Sequence, residues 1–354
     1  MSPDDSSGDE VRADGWDAIT AALQPTYGDQ EPKHYGTVLP MSLGGKDPLQ
    51  GISVYVNNED KPHWHYVTYG FSELYEKESD DPDVSGFGFE LTFRLKCNEG
   101  SDSPPAWPLN FLQNIARYVF RSGNRFAQNH HVNLNGPIAL DEATDITGAA
   151  FVLDPQLGRL ETKNGRLDFL QIVGLCTNEY ELVKQWNCAS LMNFLRDASP
   201  LLITDLARAS LLSDERLAQS IRSAVDAEGS SQAVVYGTRV DTAIASGILT
   251  LSIAANIAGD VKMMFKGRLG HGNSFLIHGP AKSIAFEPAE VPGWRTDDNG
   301  LPVISAGRQF VDEFLRKVEP RRGIYRFESF PNLMLEIVPT EIKDADGKVI
   351  RVIG

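Results

Sequence analysis

The chain has 354 residues, of which 42% are hydrophobic and 23% charged, as in a globular protein long enough for two domains. Its formal net charge of −15 disfavours nucleic-acid phosphates and anionic membranes as partners and favours a cationic protein or peptide. No apolar run approaches the ~18 residues of a membrane-spanning helix.

The amino terminus and the cysteines indicate the compartment. The first ten residues are acidic and polar, without the basic start and apolar core of a signal peptide. Cys97, Cys176 and Cys188 are odd in number and show no CxxC spacing, which favours a reducing environment over a disulfide framework. We therefore expect a cytoplasmic protein with a disordered acidic tail at residues 1–13.

Residues 14–211 alternate between helical and strand patterns. The clearest is Gly86–Lys96, where large apolar side chains alternate with Gly, Glu, Thr and Arg, which predicts a half-buried strand with an aromatic face. Phe169–Leu175 is apolar on both faces and is predicted to be a central strand. The other predicted elements are strands at Ile52–Val56, Tyr66–Tyr69, Phe151–Leu153 and Leu201–Thr204, and helices at Trp16–Leu23, Leu109–Phe120 and Leu182–Leu195.

The second half begins with a predicted helix at Leu211–Ala227 and a small, polar, flexible stretch at Glu228–Gln232. We place a linker or helix at residues 212–231 and a second domain at residues 232–354. One helix, Gln309–Val318, interrupts predicted strands at Ala233–Val240, Ile248–Ala254, Val261–Leu269, Ser274–Ile277, Ser283–Phe286, Ile324–Phe327 and Leu333–Val338. The expected fold class is α+β, with two domains, each a mainly antiparallel sheet flanked by helices, and a cleft between them.

Two clusters of side chains have the chemistry of metal sites. His63 and His65 share one face of a strand and could ligate zinc if further ligands converged, but no cysteine or third histidine lies nearby in sequence. The acidic loop from Glu78 to Asp83 lacks the residue order of a calcium-binding loop and is interpreted as a solvated surface. We expect no metal and no cofactor.

The motifs of enzymes are missing from the sequence. No GxSxG, HExxH, CxxC or P-loop pattern occurs, and the glycines of 267–272 are interpreted as part of a bend between strands. We expect a protein that is not an enzyme, and a hydrolase with an unrecognised site stays open as an alternative.

A series of short motifs runs in order through the first half. On these motifs the chain resembles the Suppressor of fused family, most densely from Trp16 to Asp205. Lys266–Gly272 with Phe275 is similar to the motif of the family's second domain. Before this motif, animal members carry a long insertion, and in this chain only Asp241–Gly247 stands in its place. In this compact form the chain is similar to the bacterial members. The first-half motifs are Leu43–Leu49, Pro62–Tyr66, Gly70–Tyr75, Pro105–Pro108, Ala116–Phe120, Phe169–Thr177, Gln185–Asn187 and Leu202–Asp205.

The resemblance implies a binding site between the two domains, where a peptide adds as a strand and its side chains enter pockets. By position, Tyr118 stands where the family has a pocket tyrosine. His130 stands where the family has an acidic residue that meets a histidine of the peptide, so the ligand is expected to differ. The second-domain edge strand would include Val235 and Gly237.

The resemblance implies a binding protein that sequesters or neutralises a protein partner. In a bacterial setting a sharper hypothesis is an immunity protein that blocks a toxin, because an acidic protein suits the cationic active site of a nuclease. The alternative is a regulator that sequesters a transcription factor. The sequence leaves the oligomeric state open.

Overall fold

The structure is a computed structural model, and it describes residues 12–39, 41, 44–97, 101–343 and 348–354. Residues 1–11 of the expected tail lie outside the described residues. The chain divides into two compact units. The first reaches Tyr180 and includes Cys188–Ser213, and the second contains Glu181–Asn187 and Asp214–Gly354. The predicted α+β class is confirmed, because helices and several sheets occur together.

An eight-stranded sheet forms the centre of the first unit. Its strands lie in the order β1-β2-β3-β4-β8-β6-β5, with β7 paired to β8. The β4–β8 pair is parallel and the other pairs are antiparallel. The strands are β1 Lys33–Gly36, β2 Gly51–Asn57, β3 His63–Tyr69, β4 Val84–Lys96, β5 His131–Asn133, β6 Ile146–Leu153, β7 Arg159–Thr162 and β8 Gly165–Cys176.

Helices α1 Asp14–Tyr27 and α2 Trp107–Ser122 cover opposite faces of this sheet. Two further helices follow β8 in the chain, α3 Thr177–Gln185 and α4 Cys188–Ala198. Along β8, Leu170 and Ile172 pack in the cluster that contains the buried face of α2, whereas Leu167 and Phe169 pack in the cluster that contains α1. Alternate residues of a strand face opposite sides of its sheet, so β8 is the central strand that its all-apolar pattern predicts.

The prediction that β4 is half-buried is wrong. Phe89, Leu91 and Phe93 lie in the core, as expected, but Thr92 and Arg94 on the opposite face are also fully buried. A buried guanidinium requires hydrogen-bond partners and an opposite charge. The buried polar face of β4 therefore has to be satisfied by side chains from other elements.

The second unit contains three smaller sheets. Their strand orders are β10-β11-β17-β16, β14-β15-β13-β12-β9 and β18-β19. The pairs β11–β17, β13–β15 and β9–β12 are parallel and the others are antiparallel. The strands are β9 Val234–Tyr236, β10 Val240–Ala245, β11 Ile248–Ala254, β12 Phe275–His278, β13 Ser283–Ala289, β14 Gly293–Thr296, β15 Pro302–Gly307, β16 Gly323–Arg326, β17 Leu333–Val338, β18 Thr340–Lys343 and β19 Val349–Ile353.

The helices of the second unit are α5 Glu215–Glu228, α6 Ala255–Gly267 and α7 Arg308–Lys317. Helices α6 and α7 supply Phe265, Phe310 and Phe314 to one aromatic core, in which the rings of Phe265 and Phe314 stack with centroids 3.6 Å apart. These rings hold the two helices together inside the unit.

Three local predictions are wrong. Val261–Leu269, predicted as a strand, lies mostly in helix α6, which buries Val261 and Phe265 on one side and leaves Lys266 exposed on the other. Leu201–Thr204 contributes only an isolated bridge at Thr204 rather than a strand. The predicted helix Leu182–Leu195 is two helices, α3 and α4.

The polar stretch after α5 is held in place rather than flexible. The backbone N–H of Ser230 donates to the carbonyl of Gly267 over 2.7 Å, and that of Ser231 donates to the carbonyl of Trp186 over 2.9 Å. The Arg268 guanidinium also donates to the Ser230 carbonyl, over 2.9 Å. These bonds fix the segment within the second unit.

Candidate functional site

Tyr118 lies on the solvent side of α2. The helix has Pro108 in its first turn and ends at Gly123 in the left-handed conformation, and its apolar face is buried through Leu112, Ala116 and Val119. Tyr118 points away from that face and is 49% exposed. Tyr118 is therefore not a core residue, and its ring is accessible.

The Tyr118 side chain is oriented by its neighbours. Its hydroxyl accepts a hydrogen bond from the Asn124 amide over 2.8 Å, and its ring centroid lies 6.0 Å from that of Phe126. An exposed ring that is held in one orientation loses little conformational entropy when it binds.

His130 is exposed and lies in the turn that leads into β5, one edge of the large sheet. Its backbone N–H donates to the Ala127 carbonyl over 3.0 Å, and its carbonyl accepts from the N–H of Phe151 over 2.9 Å. The Phe126 ring stacks on Phe151 at 4.0 Å. Contacts through Phe126 and the buried Phe151 thus join Tyr118 to His130, and we call the two exposed residues Tyr118 and His130 the tyrosine–histidine surface.

In the second unit, Val235 and Gly237 belong to an edge of the five-stranded sheet. Val235 lies on β9, but its side chain is 2% exposed and belongs to the core. The N–H of Gly237 donates to the His278 carbonyl of β12 over 2.8 Å. A Cβ atom at Gly237 would lie 2.6 Å from Ile257 Cδ1, so a larger residue does not fit without movement of that side chain.

The residue that β9 presents to solvent is Tyr236, which the sequence reasoning missed. It is 74% exposed, and its ring meets that of His278 edge-on at 5.6 Å. The alternation of side chains along a strand could have identified it, because a buried Val235 places Tyr236 on the opposite face.

His63 and His65 belong to a buried polar network. Arg94 donates to His63 Nε2 over 2.9 Å and to the two carboxylate oxygens of Asp154 over 3.0 and 3.2 Å. His65 Nε2 lies 3.2 Å from Asp154 Oδ2. The Tyr27 hydroxyl lies 2.6 Å from His65 Nδ1, on the other side of the ring. We call Tyr27, His63, His65, Arg94 and Asp154 the buried network.

The protonation states in the buried network follow from its geometry. Desolvation lowers the pKa of His63 and of His65 to about 4, and the Arg94 charge acts in the same direction. Burial opposes the ionisation of Asp154, but the contact with His65, whose charge acts only when that ring is protonated, and the Arg94 charge outweigh it and hold the pKa of the carboxyl well below its usual value. Near neutral pH the network is therefore an Arg–Asp ion pair with two neutral imidazoles.

Neutral imidazoles fit the hydrogen bonds around them. With the Tyr27 hydroxyl donating to His65 Nδ1, the Nε2–H of His65 faces Asp154. Similarly, His63 Nε2 accepts from Arg94, and its Nδ1–H donates to the Lys61 carbonyl over 2.7 Å. Both ring nitrogens of His63 are thus hydrogen-bonded, whereas His65 is hydrogen-bonded through Nδ1 and its Nε2 lies near Asp154 without hydrogen-bond geometry.

The part of the chain that the structure describes shows neither a metal-binding cluster nor a membrane-spanning helix. Within it, no three His, Cys, Asp or Glu side chains group as a metal site would require. Among the same residues, no helix is both long and apolar enough to span a bilayer.

Comparison with sequence families gives one matching family model. The model described as Suppressor of fused protein (SUFU) matches residues 45–209. The human and mouse Suppressor of fused homologs are each 37% identical to the chain over 236 residues, which cover 61% of this chain and 48% of each relative. The chain thus spans about half the length of the curated relatives it matches.

Two solved structures are similar as well. The crystal structure of Drosophila Suppressor of Fused superposes with a TM-score of 0.78 at 23% identity, over 92% of this chain and 97% of that one, which is a likeness of fold. A chain of the Sufu–Fu complex crystal structure superposes with a TM-score of 0.56 at 32% identity, over 59% of this chain and 98% of that one.

Proposed function

The chain belongs to the Suppressor of fused family, and we propose that it is a protein-binding module that sequesters or neutralises a protein partner. The similar chain from the Sufu–Fu complex supports this proposal, because that relative was crystallised with a protein partner. The proposed role is binding in the cytoplasm, without catalysis and without a metal or cofactor.

The observation that carries the proposal is the exposed and oriented ring of Tyr118 in the tyrosine–histidine surface. Aromatic side chains of this kind contribute a large share of binding energy in many protein interfaces. We propose that Tyr118 and His130 contact the partner in the first unit. In the second unit we propose the β9 edge around Val235 and Gly237, where backbone groups and the Tyr236 ring are the available contacts.

For the finer role we propose an immunity protein that neutralises a toxin. The net charge of −15 supports this choice, because an acidic surface is attracted to the cationic active site of a nuclease and speeds association with it. A regulator that sequesters a transcription factor is the second candidate, and a toxin gene beside this one would favour immunity. The third, a hydrolase, would require a pocket with convergent titrating groups.

Replacing Tyr118 by alanine tests the first surface. We expect Tyr118→Ala to weaken partner binding by roughly 1–4 kcal/mol, because the complex loses an aromatic anchor that the partner would cover. The melting temperature should change little, since half of the ring is already in water. The partner is captured from a lysate of the source cells on the immobilised full-length chain and identified by mass spectrometry, and affinities are then measured calorimetrically.

The matched control is Tyr35→Ala, because Tyr35 is another exposed tyrosine of the first unit, at 39% exposure. Its loss should leave partner binding unchanged. Equal affinities for wild type and Tyr118→Ala would exclude Tyr118 as an anchor.

Restoring an acidic residue at position 130 tests ligand choice. At pH 6, where most of an exposed histidine with a pKa of about 6.5 is protonated, we expect His130→Asp to raise the affinity for a synthetic peptide with one histidine about threefold, because an exposed pair of opposite charges contributes up to ~1 kcal/mol. The same peptide with alanine in place of histidine should bind both proteins equally. If the histidine peptide gains nothing from His130→Asp, position 130 does not face the peptide.

A further inference from the structure

A second surface of the first unit has the composition of a binding pocket. A cavity of about 490 Å³ opens beside the segment that follows β3, and the start of β4 and the end of α2 complete its walls. Three phenylalanines and three glutamates lie in its lining, together with one cationic side chain, Arg125. These residues are Phe71, Phe87, Phe120, Glu73, Glu76 and Glu78, and we call the cavity the phenylalanine–glutamate pocket.

The three phenylalanines that form the aromatic wall of the pocket pack against one another. The rings of Phe87 and Phe120 meet edge-on with centroids 4.9 Å apart, and Phe71 lies 6.0 Å from Phe120. Phe71 is 1% exposed, whereas Phe87 and Phe120 are only partly buried. The wall therefore offers ring surface to a bound side chain without exposing the core.

The carboxylates of the pocket are not all neutralised within the protein. Glu73 accepts from Lys77 Nζ over 2.9 Å and from the N–H groups of Glu78 and Ser79 over 2.8 and 2.6 Å. Glu76 and Glu78 are exposed, and the described part of the chain shows no ion pair for either carboxylate. Two negative charges thus remain beside the aromatic wall.

We propose that this pocket binds an arginine side chain of a peptide segment in a protein partner. A guanidinium stacks on aromatic rings and pairs with carboxylates, and the pocket brings these two surfaces together. A purely apolar side chain would bring the glutamates close to a group that cannot pair with them. The net charge of −15 attracts the same class of partner.

Arg125 should weaken the binding of an arginine side chain, so its removal should strengthen that binding. It is the one cation in the lining, and its charge repels an incoming guanidinium. Neither Tyr118 nor His130 belongs to the lining of the pocket, so the inference does not require that Tyr118 contact a partner.

The test uses a minimal probe and NMR. Acetyl-Gly-Arg-Gly-amide is titrated into the isotope-labelled full chain, and the backbone amide signals of Gly70 and Gly86, which line the pocket, report binding. The matched probe replaces arginine by citrulline, which has nearly the same shape and no charge. We expect saturable shifts at both glycines with the arginine probe and at least threefold weaker binding of the citrulline probe.

Variants that remove one charge each show which side chains contribute to binding of the arginine probe. We expect Glu76→Gln and Glu78→Gln each to weaken the arginine probe about threefold, and Arg125→Gln to strengthen it about threefold, as exposed charge pairs allow. Asp80→Asn is the control, because it removes one charge from the same loop outside the lining and should change the affinity much less.

Any of three results would overturn the inference. Arginine and citrulline probes could bind alike, or Asp80→Asn could weaken binding as much as Glu76→Gln does. The third is the absence of saturable shifts at Gly70 and Gly86.

Discussion

Replacing Arg94 by methionine is expected to lower the free energy of unfolding by about 3–5 kcal/mol, because the substitution leaves the Asp154 carboxylate buried without its cation. Both side chains have 0% exposure, so water cannot compensate for the loss. His63 and Gln171 would lose the same donor. Urea unfolding followed by circular dichroism and tryptophan fluorescence measures the change.

The matched control is Arg159→Met. Arg159 pairs with Asp168 in the same sheet, but its side chain is 56% exposed, so the same substitution should cost far less there. In the double variant Arg94→Met with Asp154→Asn, part of the loss should be recovered, because no buried charge stays unpaired. If Arg94→Met lowers the free energy of unfolding no more than Arg159→Met does, the buried pair of Arg94 and Asp154 does not contribute to stability as described.

Mild acid should destabilise the protein through His63 and His65. Their folded-state pKa is about 4, and the ordinary value, which applies to the unfolded chain, is 6.5. Between these values the unfolded chain binds more protons than the folded one, so the stability that is complete above pH 6.5 falls as the pH is lowered towards 4. The expected slope is about 1.4 kcal/mol per pH unit for each histidine at its largest.

Two variants separate this effect from the titration of the many carboxylates. His65→Gln removes one buried imidazole and should make the decrease between pH 6.5 and 4 less steep. Arg94→Met should also reduce it, since the Arg94 charge is one cause of the lowered histidine pKa values. Urea unfolding at half-unit pH steps measures the slopes. Identical slopes in wild type and His65→Gln would contradict a buried neutral His65.

The two proposed binding surfaces have different origins in the sequence. Tyr118 was identified by its position in a family motif, and its exposure on α2 leaves it available to a partner. The phenylalanine–glutamate pocket was not predicted, because Phe87 and Phe120 are 33 residues apart in the chain and lie in different elements. Only the fold places Glu76 and Glu78 beside them.

Strong periodicity allowed several elements to be predicted from the sequence. The helix expected at Leu109–Phe120 is α2, Trp107–Ser122, and that at Gln309–Val318 is α7, Arg308–Lys317. The strand expected at Phe169–Leu175 lies within β8 and is central. In each case the spacing of apolar residues matches the way in which the element is buried, and the local sequence carries that information.

Helix α6 shows where local patterns fail. Within the run that begins at Val261, the residues Val261, Met263 and Phe265 alternate with Lys262, Met264 and Lys266, which is the period of a strand. The polar side of the helix, formed by Asn256, Asp260, Lys262 and Lys266, becomes visible only when the residues before Val261 are included. Its buried residues Ala258, Val261 and Phe265 do recur at helical spacing, a weak signal that could have been used.

By itself, the sequence determined the α+β class, the aromatic face of β4 and the pairing of His63 with His65 on one face of a strand. Only the tertiary structure decided that the other face of β4, which carries Thr92 and Arg94, is buried. Asp154 lies 60 residues beyond Arg94 in the chain, and the sheet brings the two into contact by placing β8 between β4 and β6. From sequence alone, an arginine is expected at the surface, because its burial requires a paired carboxylate. Which carboxylate lies beside Arg94 depends on the order of the strands, and local sequence does not encode that order.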